Sequence, residues 1–412
     1  METTAFFPVL QPASLSGRMS PPDLSIVVVH HQGKEHLLEG LAALDAASAK
    51  VSAEIILVDN TGGRPMEEVL RRHPTVRRVA AAGNVGFALG CRLGAEAARA
   101  PILLFVNDDA AVEPDAPERL ASALAGAPED VVAVAGRLVD RSGRKNDFSD
   151  GFLTFDGHAF QKDVGRSVAE LPAAAPGEER LFACGGLMAV RRDEFLSSGG
   201  FDPDYFAYLE DVDFGWRQWI AGRRIIAEPR AVARHRGGST GEALGVFARG
   251  YLIERNAFAT AYKNFDEEHF RALMPAILGA FLSRVAEMLD TRNPAAGELR
   301  RDPYSGSPAA RPWARWLGIA PTDSGRVTVE DPLTVAHLKA LVWIYRHHDR
   351  LAKKRREVQA TRRRSDREIF AKFPLRLVPT YPGDERFDSD FFRELLAGAP
   401  TLTRSTLAEI FV

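Results

Sequence analysis

A chain of 412 residues, 45% of them hydrophobic and 26% charged, is long enough for one large domain plus a smaller one and carries ample apolar material for a core. The formal net charge of −2 excludes a global field that would gather nucleic acid, so any charged partner must be met by a local patch. Cys91 and Cys184 are the only cysteines; far apart and beside small or apolar residues, they argue against a disulfide framework and for a cytosolic, reducing compartment. The first residues lack a basic n-region, and no run of eighteen apolar residues occurs, so neither export nor a membrane span is expected.

Residues 1–22, rich in Pro and Ser, predict a mobile leader. Apolar runs and helical patterns then alternate, with strands over 24–29, 54–58, 76–80 and 102–106 and helices over 35–44, 66–72 and 87–98. Near-continuous Val, Ile and Leu strands separated by helices predict an α/β class with a mostly parallel sheet covered on both faces. After Leu138, polar and Ala/Pro-rich stretches at 140–145 and 171–177 predict surface loops; regular structure resumes over 181–184 and 187–190, followed by a helix at 214–219 and a strand at 231–234. Beyond residue 242 strands nearly vanish, and 246–262, 269–289 and 335–347 read as amphipathic helices. Three parts result: a leader at 1–22, an α/β domain at 23–265, and a mainly helical region at 266–412 with a basic helix between Arg346 and Arg367.

The strand at 102–106 runs straight into Asn107-Asp108-Asp109, at the sheet edge where open α/β folds bind ligands. Carboxylates there either cap the next helix or hold a hard divalent cation that grips phosphate oxygens. A second acidic cluster, Glu210-Asp211-Val212-Asp213, lies just before the helix at 214–219, and two carboxylate sites in one domain suggest a metal and a base. Asp59-Asn60 ends another strand, as turn formers or, for Asp59, as acceptor to a nucleobase edge. Gly83-Asn84-Val85-Gly86-Phe87 stands at a strand-to-helix junction, where glycines let backbone approach an anion closely.

In chain order these pieces are joined by Cys184-Gly185-Gly186-Leu187, Gly199-Gly200-Phe201-Asp202 and Arg234-His235. The succession, over roughly residues 23–265, resembles the family 2 glycosyltransferases of the GT-A fold, particularly their rhamnosyltransferase-like branch. The resemblance implies that Asp59 contacts the nucleobase and that Asp109, with His235 nearby, ligates Mg²⁺ or Mn²⁺ on the diphosphate of a nucleotide-sugar donor. His31, Asn84, Asn107, Asp108, Gly185, Gly186 and Arg234 would line the donor site, with Asp108 near the ribose or sugar or acting as a cap. Asp211 matches the family's general base and Glu210 would orient Asp211 or the acceptor. Phe201, Tyr205 and Phe206 would either stack on acceptor sugars or anchor a loop in the core. The sequence departs from the family pattern in three places: Asn107 replaces an Asp, which would weaken metal binding, His31-Gln32 replaces Tyr-Asn, and Cys91-Arg92 stands where Asn is frequent.

The activity implied is inverting transfer of a sugar, L-rhamnose being favoured, to a hydroxyl of a growing, lipid-linked bacterial surface glycan by a cytoplasmic enzyme. The basic segment is then either a solvated helix face or a peripheral contact with anionic lipid; it carries no motif for reading nucleic acid. Two rivals stand beside this reading. A sugar nucleotidyltransferase would need a Gly-rich basic loop after the first strand, of which His30-His31-Gln32-Gly33-Lys34 is a poor version. A catalytically weak assembly subunit would accord with Asn107 but not with an intact Asp109 and Asp211.

Overall fold

A computed structural model describes residues 22–64, 66–172, 174–237, 239–293, 328–400 and 402–410. The expected leader at 1–22 lies, but for its last residue, outside them. The order is β1 (Leu24–His30), α1 (Lys34–Ser48), β2 (Ala53–Asp59), α2 (Glu67–Arg72), β3 (Arg77–Ala80), α3 (Gly86–Ala97), β4 (Ile102–Asn107), β5 (Ala110–Val112), α4 (Ala116–Ala125) and β6 (Val131–Asp140). Short strands β7 (Asn146–Phe148), β8 (Gly151–Leu153) and β9 (Ala159–Gln161) follow, then β10 (Leu187–Arg191), α5 (Arg192–Ser197), α6 (Glu210–Ile220) and β11 (Arg224–His235).

The main sheet runs β3-β2-β1-β4-β10-β6-β11-β5, with β7 on β6. It is parallel from β3 to β4, as the Val/Ile-rich runs predict, but β10 enters antiparallel between β4 and β6, and β5 closes antiparallel on β11, so the sheet as a whole is mixed. Both faces are covered. Along β1, Leu24, Ile26 and Val28 join one core with Leu37, Leu41 and Leu44 of α1 and Leu120 and Leu124 of α4. Val27 and Val29 join the other with Ala88, Cys91 and Ala95 of α3. Each such buried aliphatic side chain contributes about 1.5–3 kcal/mol, while Ser25, buried in the same strand, donates to Glu54 Oε1 at 2.6 Å. Gly94 lets α3 lie directly on the sheet: a Cβ there would meet Val27 Cγ1 at 2.3 Å.

The run at 181–184 is not a strand; Leu181, Phe182 and Ala183 are buried as irregular chain leading into β10. The helical part comprises α7 (Ser239–Asn264, broken at Gly245), α8 (Glu267–Arg292), α9 (Pro332–Arg346), α10 (His348–Ala360) and α11 (Asp366–Lys372). Helix α8 is long and apolar enough to cross a membrane, and 56% of its most apolar window is buried in the fold. The basic segment is not one long helix: it breaks between α10 and α11 at residues 361–365. Many of its cations face the protein. Arg350 and Lys354 pair with Asp204 at 3.0 and 2.6 Å, Arg355 donates to the carbonyls of Tyr262 and Phe265, and Arg364 donates to those of Gly222 and Arg223. Docking against the α/β part thus explains charges that the sequence leaves open between solvent and lipid.

Candidate active site

At the carboxyl ends of β1, β2 and β4 the register sets His30 beside Asp59 and Val29 beside Asn107. Past β4 the chain turns into β5, which pairs Ala110 with His235 at the end of β11. The turn therefore brings Asp109 and His235 together, with His235 Nε2 3.0 Å from Asp109 Oδ1 and 3.2 Å from the side-chain amide nitrogen of Asn107. On its other side His235 Nδ1 lies 2.6 Å from Asp147 Oδ2. Burial works against a charge on this ring, but hydrogen bonds to Asp109 and Asp147 outweigh it and push the imidazole up to about 10.

Carboxylate, amide and imidazole groups at one point form a donor set suited to a hard or borderline divalent cation, the amide presenting its oxygen when turned about its terminal bond. A histidine whose second nitrogen is held by a carboxylate is the usual way such a ligand is oriented. The residues thus fit Mg²⁺ or Mn²⁺. Asp147 is the residue that the sequence does not single out; it lies in a three-residue strand beyond the region of clear pattern, and only the pairing of β7 with β6 brings it to His235.

Asp108 turns away from this point and is hydrogen-bonded to His30 Nδ1 at 2.6 Å, with burial pushing its carboxyl up. His31 Nδ1 meets the carbonyl of Asn60 at 2.9 Å. Asp59 is buried; one oxygen accepts from Thr61 N and Oγ1, the other from Arg78 Nε and Nη2, and these donors overcome burial to hold its carboxyl below the usual range. Asn60 Nδ2 donates to Asn84 Oδ1 at 3.0 Å, and Asn60 Oδ1 accepts from Val85 N, which fixes the entry to α3.

Asp211 sits in the first turn of α6, accepting from Gly185 N at 2.9 Å and from Val212 N at 2.8 Å. Gly186 in turn accepts from Asn107 N at 3.1 Å. The glycine pair therefore spans from the acidic end of β4 to the acidic start of α6. A Cβ at Gly186 would lie 3.0 Å from the Asn107 amide nitrogen. Burial pushes the Asp211 carboxyl up against its N–H donors, and Glu210 is pushed well above its ordinary range by burial and by the adjacent Asp211; its Oε2 is buried without a partner, as suits a protonated acid. Asp213, by contrast, is a structural anion held by Lys263 at 3.0 Å and Arg217 at 2.8 Å.

Two of the three expected acceptor aromatics are corrected. Phe201 is fully buried among Phe87, Phe105, Phe195 and Phe214, and Tyr205 is 1% exposed with its hydroxyl bonded to Thr260 at 2.7 Å, so neither has a ring face left for a sugar. Phe206 is only partly buried. Arg234 donates to Glu113 at 2.8 Å and, with Asp109 and Arg236, lines a cavity of about 130 Å³. A separate cluster, Asp266, His269 and Asp366, has ligand atoms within 4.8 Å of one another, but its carboxylates are engaged in capping: Asp266 accepts from His269 N and from Asp366 N, and Asp366 from Asp266 N and Trp216 Nε1.

Residues 25–195 match the model of the family described as glycosyl transferase family 2. Over 240 residues the chain is 28% identical to the N-acetylglucosaminyl-diphospho-decaprenol L-rhamnosyltransferase of Mycobacterium tuberculosis, covering 53% of this chain and 78% of that one. It is 25% identical over 227 residues to polypeptide N-acetylgalactosaminyltransferase 10 of Rattus norvegicus, 52% of this chain but only 38% of the relative. Among solved structures it is similar to GalNAc-T7 with UDP, GalNAc and Mn²⁺ (TM-score 0.48, 16% identity, 62% of this chain and 51% of that one). It is also similar to the mannosyltransferase PcManGT from Pyrobaculum calidifontis with GDP-Man and Mn²⁺ (TM-score 0.43, 16% identity, 78% and 86%).

Proposed function

We propose that the protein is a metal-dependent, inverting glycosyltransferase, as the match of residues 25–195 to the glycosyl transferase family 2 model supports, and that its catalytic part, residues 23–265, acts with the helical region that follows. The observation that carries this reading is the bridge made by Gly185 and Gly186, which ties Asp211 to one side and Asn107, beside Asp109 and His235, to the other. A donor diphosphate at the second point leaves its sugar facing the first.

Asp109, His235 and Asn107 would hold Mg²⁺ or Mn²⁺, which when bound neutralises the diphosphate as it leaves. Asp59 and the loop fixed by Asn60 and Asn84 serve the nucleoside, with His31 and Asp108 beside them and Arg234 near the phosphates. Asp211 accepts the proton of the acceptor hydroxyl while the new C–O bond forms at the anomeric carbon and the bond to the nucleotide diphosphate breaks on the opposite face, inverting the configuration. Burial suits Asp211 to this task by raising its basicity, and Glu210, held neutral, adds no second charge beside it. The name of the relative from Mycobacterium tuberculosis supports L-rhamnose as the sugar and a polyprenyl-diphosphate-linked saccharide as the acceptor.

The test is Asp211→Asn assayed beside the parent protein with nucleotide sugars and a lipid-linked acceptor. Transfer should fall by about 10²–10⁴-fold with donor binding retained, and the parent's product should carry the inverted anomer by NMR. A variant with full transfer, or a retained anomer, would refute the assignment.

A further inference from the structure

The family match ends at residue 195, before the base and before α7. Yet the loop that delivers Asp211 is held along one side by α7 and α10. Three consecutive turns of α7 place Arg255 and Asn256, then Thr260, then Lys263 and Asn264 on one face, and all five meet residues 202–213. Asn256, 1% exposed, donates its Nδ2 hydrogens to three converging carbonyls, those of Tyr205, Ala207 and Tyr208, at 3.0, 3.0 and 2.8 Å. Arg255 orients that amide through Asn256 Oδ1 at 3.1 Å and itself donates to the carbonyls of Asp204 and Tyr205. Lys263 and Lys354 both pair with Asp202.

The clamped loop is strained. Phe206, Tyr208 and Leu209, none of them glycine, have φ of 64°, 71° and 66°. Such residues cost of order 1–3 kcal/mol each and persist only where surrounding contacts over-determine them. The next residues are Glu210 and Asp211. The far side of the loop touches the donor side, where Phe206 O accepts from Ala88 N at 3.1 Å at the start of α3.

We propose that Asn256, oriented by Arg255, is a positioning residue for the transfer reaction: it holds residues 205–208 in the strained conformation that sets Asp211 against the donor, so that α7, beyond the end of the family match, is a working part of the catalytic unit. This rests on the glycosyltransferase reading above. Removing the three bonds should let the loop relax, moving Asp211 while leaving the nucleotide and metal groups on β1, β2 and β4 in place.

The full chain carrying Asn256→Ala, and separately Arg255→Lys, is compared with the parent by hydrogen exchange over residues 202–212 and by donor binding and turnover. Expected for Asn256→Ala are exchange at least tenfold faster in that segment alone, an unchanged donor Kd, and a kcat lowered at least tenfold with little change in donor KM. Arg255→Lys, which keeps a donor but not the fork that reaches Asn256 Oδ1 and both carbonyls together, should show the same pattern of change with a smaller loss of kcat. Unchanged exchange in residues 202–212 would overturn the clamp, and unchanged kcat, or a loss confined to KM, would overturn its role in positioning. A parent protein that turns over no nucleotide sugar would refute the glycosyltransferase reading and the positioning role together, whereas faster exchange beside an active parent with undiminished variant kcat refutes the positioning role alone.

Discussion

His235 bridges two carboxylates, its Nε2 3.0 Å from Asp109 and its Nδ1 2.6 Å from Asp147, so the ring is aimed at the end of β4 by a residue 88 positions earlier in the chain. If Asp109 and His235 hold the metal, Asp147 acts only by orienting the ring. Asp147→Asn is then predicted to weaken Mn²⁺ binding by about 10–100-fold while the protein keeps its thermal stability in chelator. Calorimetric titration of Mn²⁺ into both proteins checks this; equal affinities would remove Asp147 from the site.

Gly86 starts α3 at φ 83°, and a Cβ there would lie 2.5 Å from Phe206 O, a backbone atom with no freedom to yield. Gly86→Ala combines that clash with a left-handed backbone, each unfavourable. The expected cost is about 2–4 kcal/mol in urea unfolding, with nucleotide binding lost as the start of α3 moves. A cost under about 0.5 kcal/mol would show that the close approach is not as described.

Beneath the helices, His158 lies 3.1 Å from both Asp156 and Glu254, Arg284 pairs with Asp156 and Asp384 at 2.8 and 2.6 Å, and His337 Nε2 faces Glu254 at 3.4 Å. Burial opposes the charges, but the two carboxylates push His158 up to about 10, and His158 and His337 help hold Glu254 down at about 2. A histidine raised in the folded state gives stability that is full below its unfolded value of about 6.5 and is lost as pH rises toward 10; a depressed glutamate gives stability present above about 4.5 and lost as pH falls toward 2. Stability is therefore predicted to be greatest between about pH 5 and 6.5 and to decline steadily into the alkaline range. His158→Gln should flatten the alkaline decline in Tm measured from pH 7 to 10; an identical slope in the variant would contradict the assignment. Arg284→Met, which takes the guanidinium from buried Asp384 and leaves Asp156 to His158 alone, should cost about 3–5 kcal/mol.

Much of the candidate site is legible in the sequence because it is local: strands buried on both faces read as apolar runs, and the polar residues at their ends read as a site. Asp59, Asn84, Asn107 and Asp109 fall where that pattern puts them. What the sequence does not show depends on long-range pairing. The antiparallel insertion of β10 leaves no local mark, since an apolar strand of five residues reads the same in either direction. Asp147 is invisible until β7 pairs with β6, and Phe201 and Tyr205 look like sugar-stacking aromatics until α6 and α7 close over them. Lys354 and Arg355 look like part of a free surface because the carboxylates of Asp202 and Asp204 and the carbonyls of Tyr262 and Phe265 that they meet are 90 to 152 residues away.

The central claim, that a metal held at Asp109 and His235 serves a nucleotide-sugar donor, is tested most directly by incubating the purified protein with a panel of nucleotide sugars in Mn²⁺ or in chelator, alongside Asp109→Ala, and following donor binding by calorimetry and release of nucleotide diphosphate. The account predicts that one donor binds and is turned over only with metal, and that both are lost in the variant. Turnover that persists in chelator, or in Asp109→Ala, or the absence of binding to every donor, would contradict it.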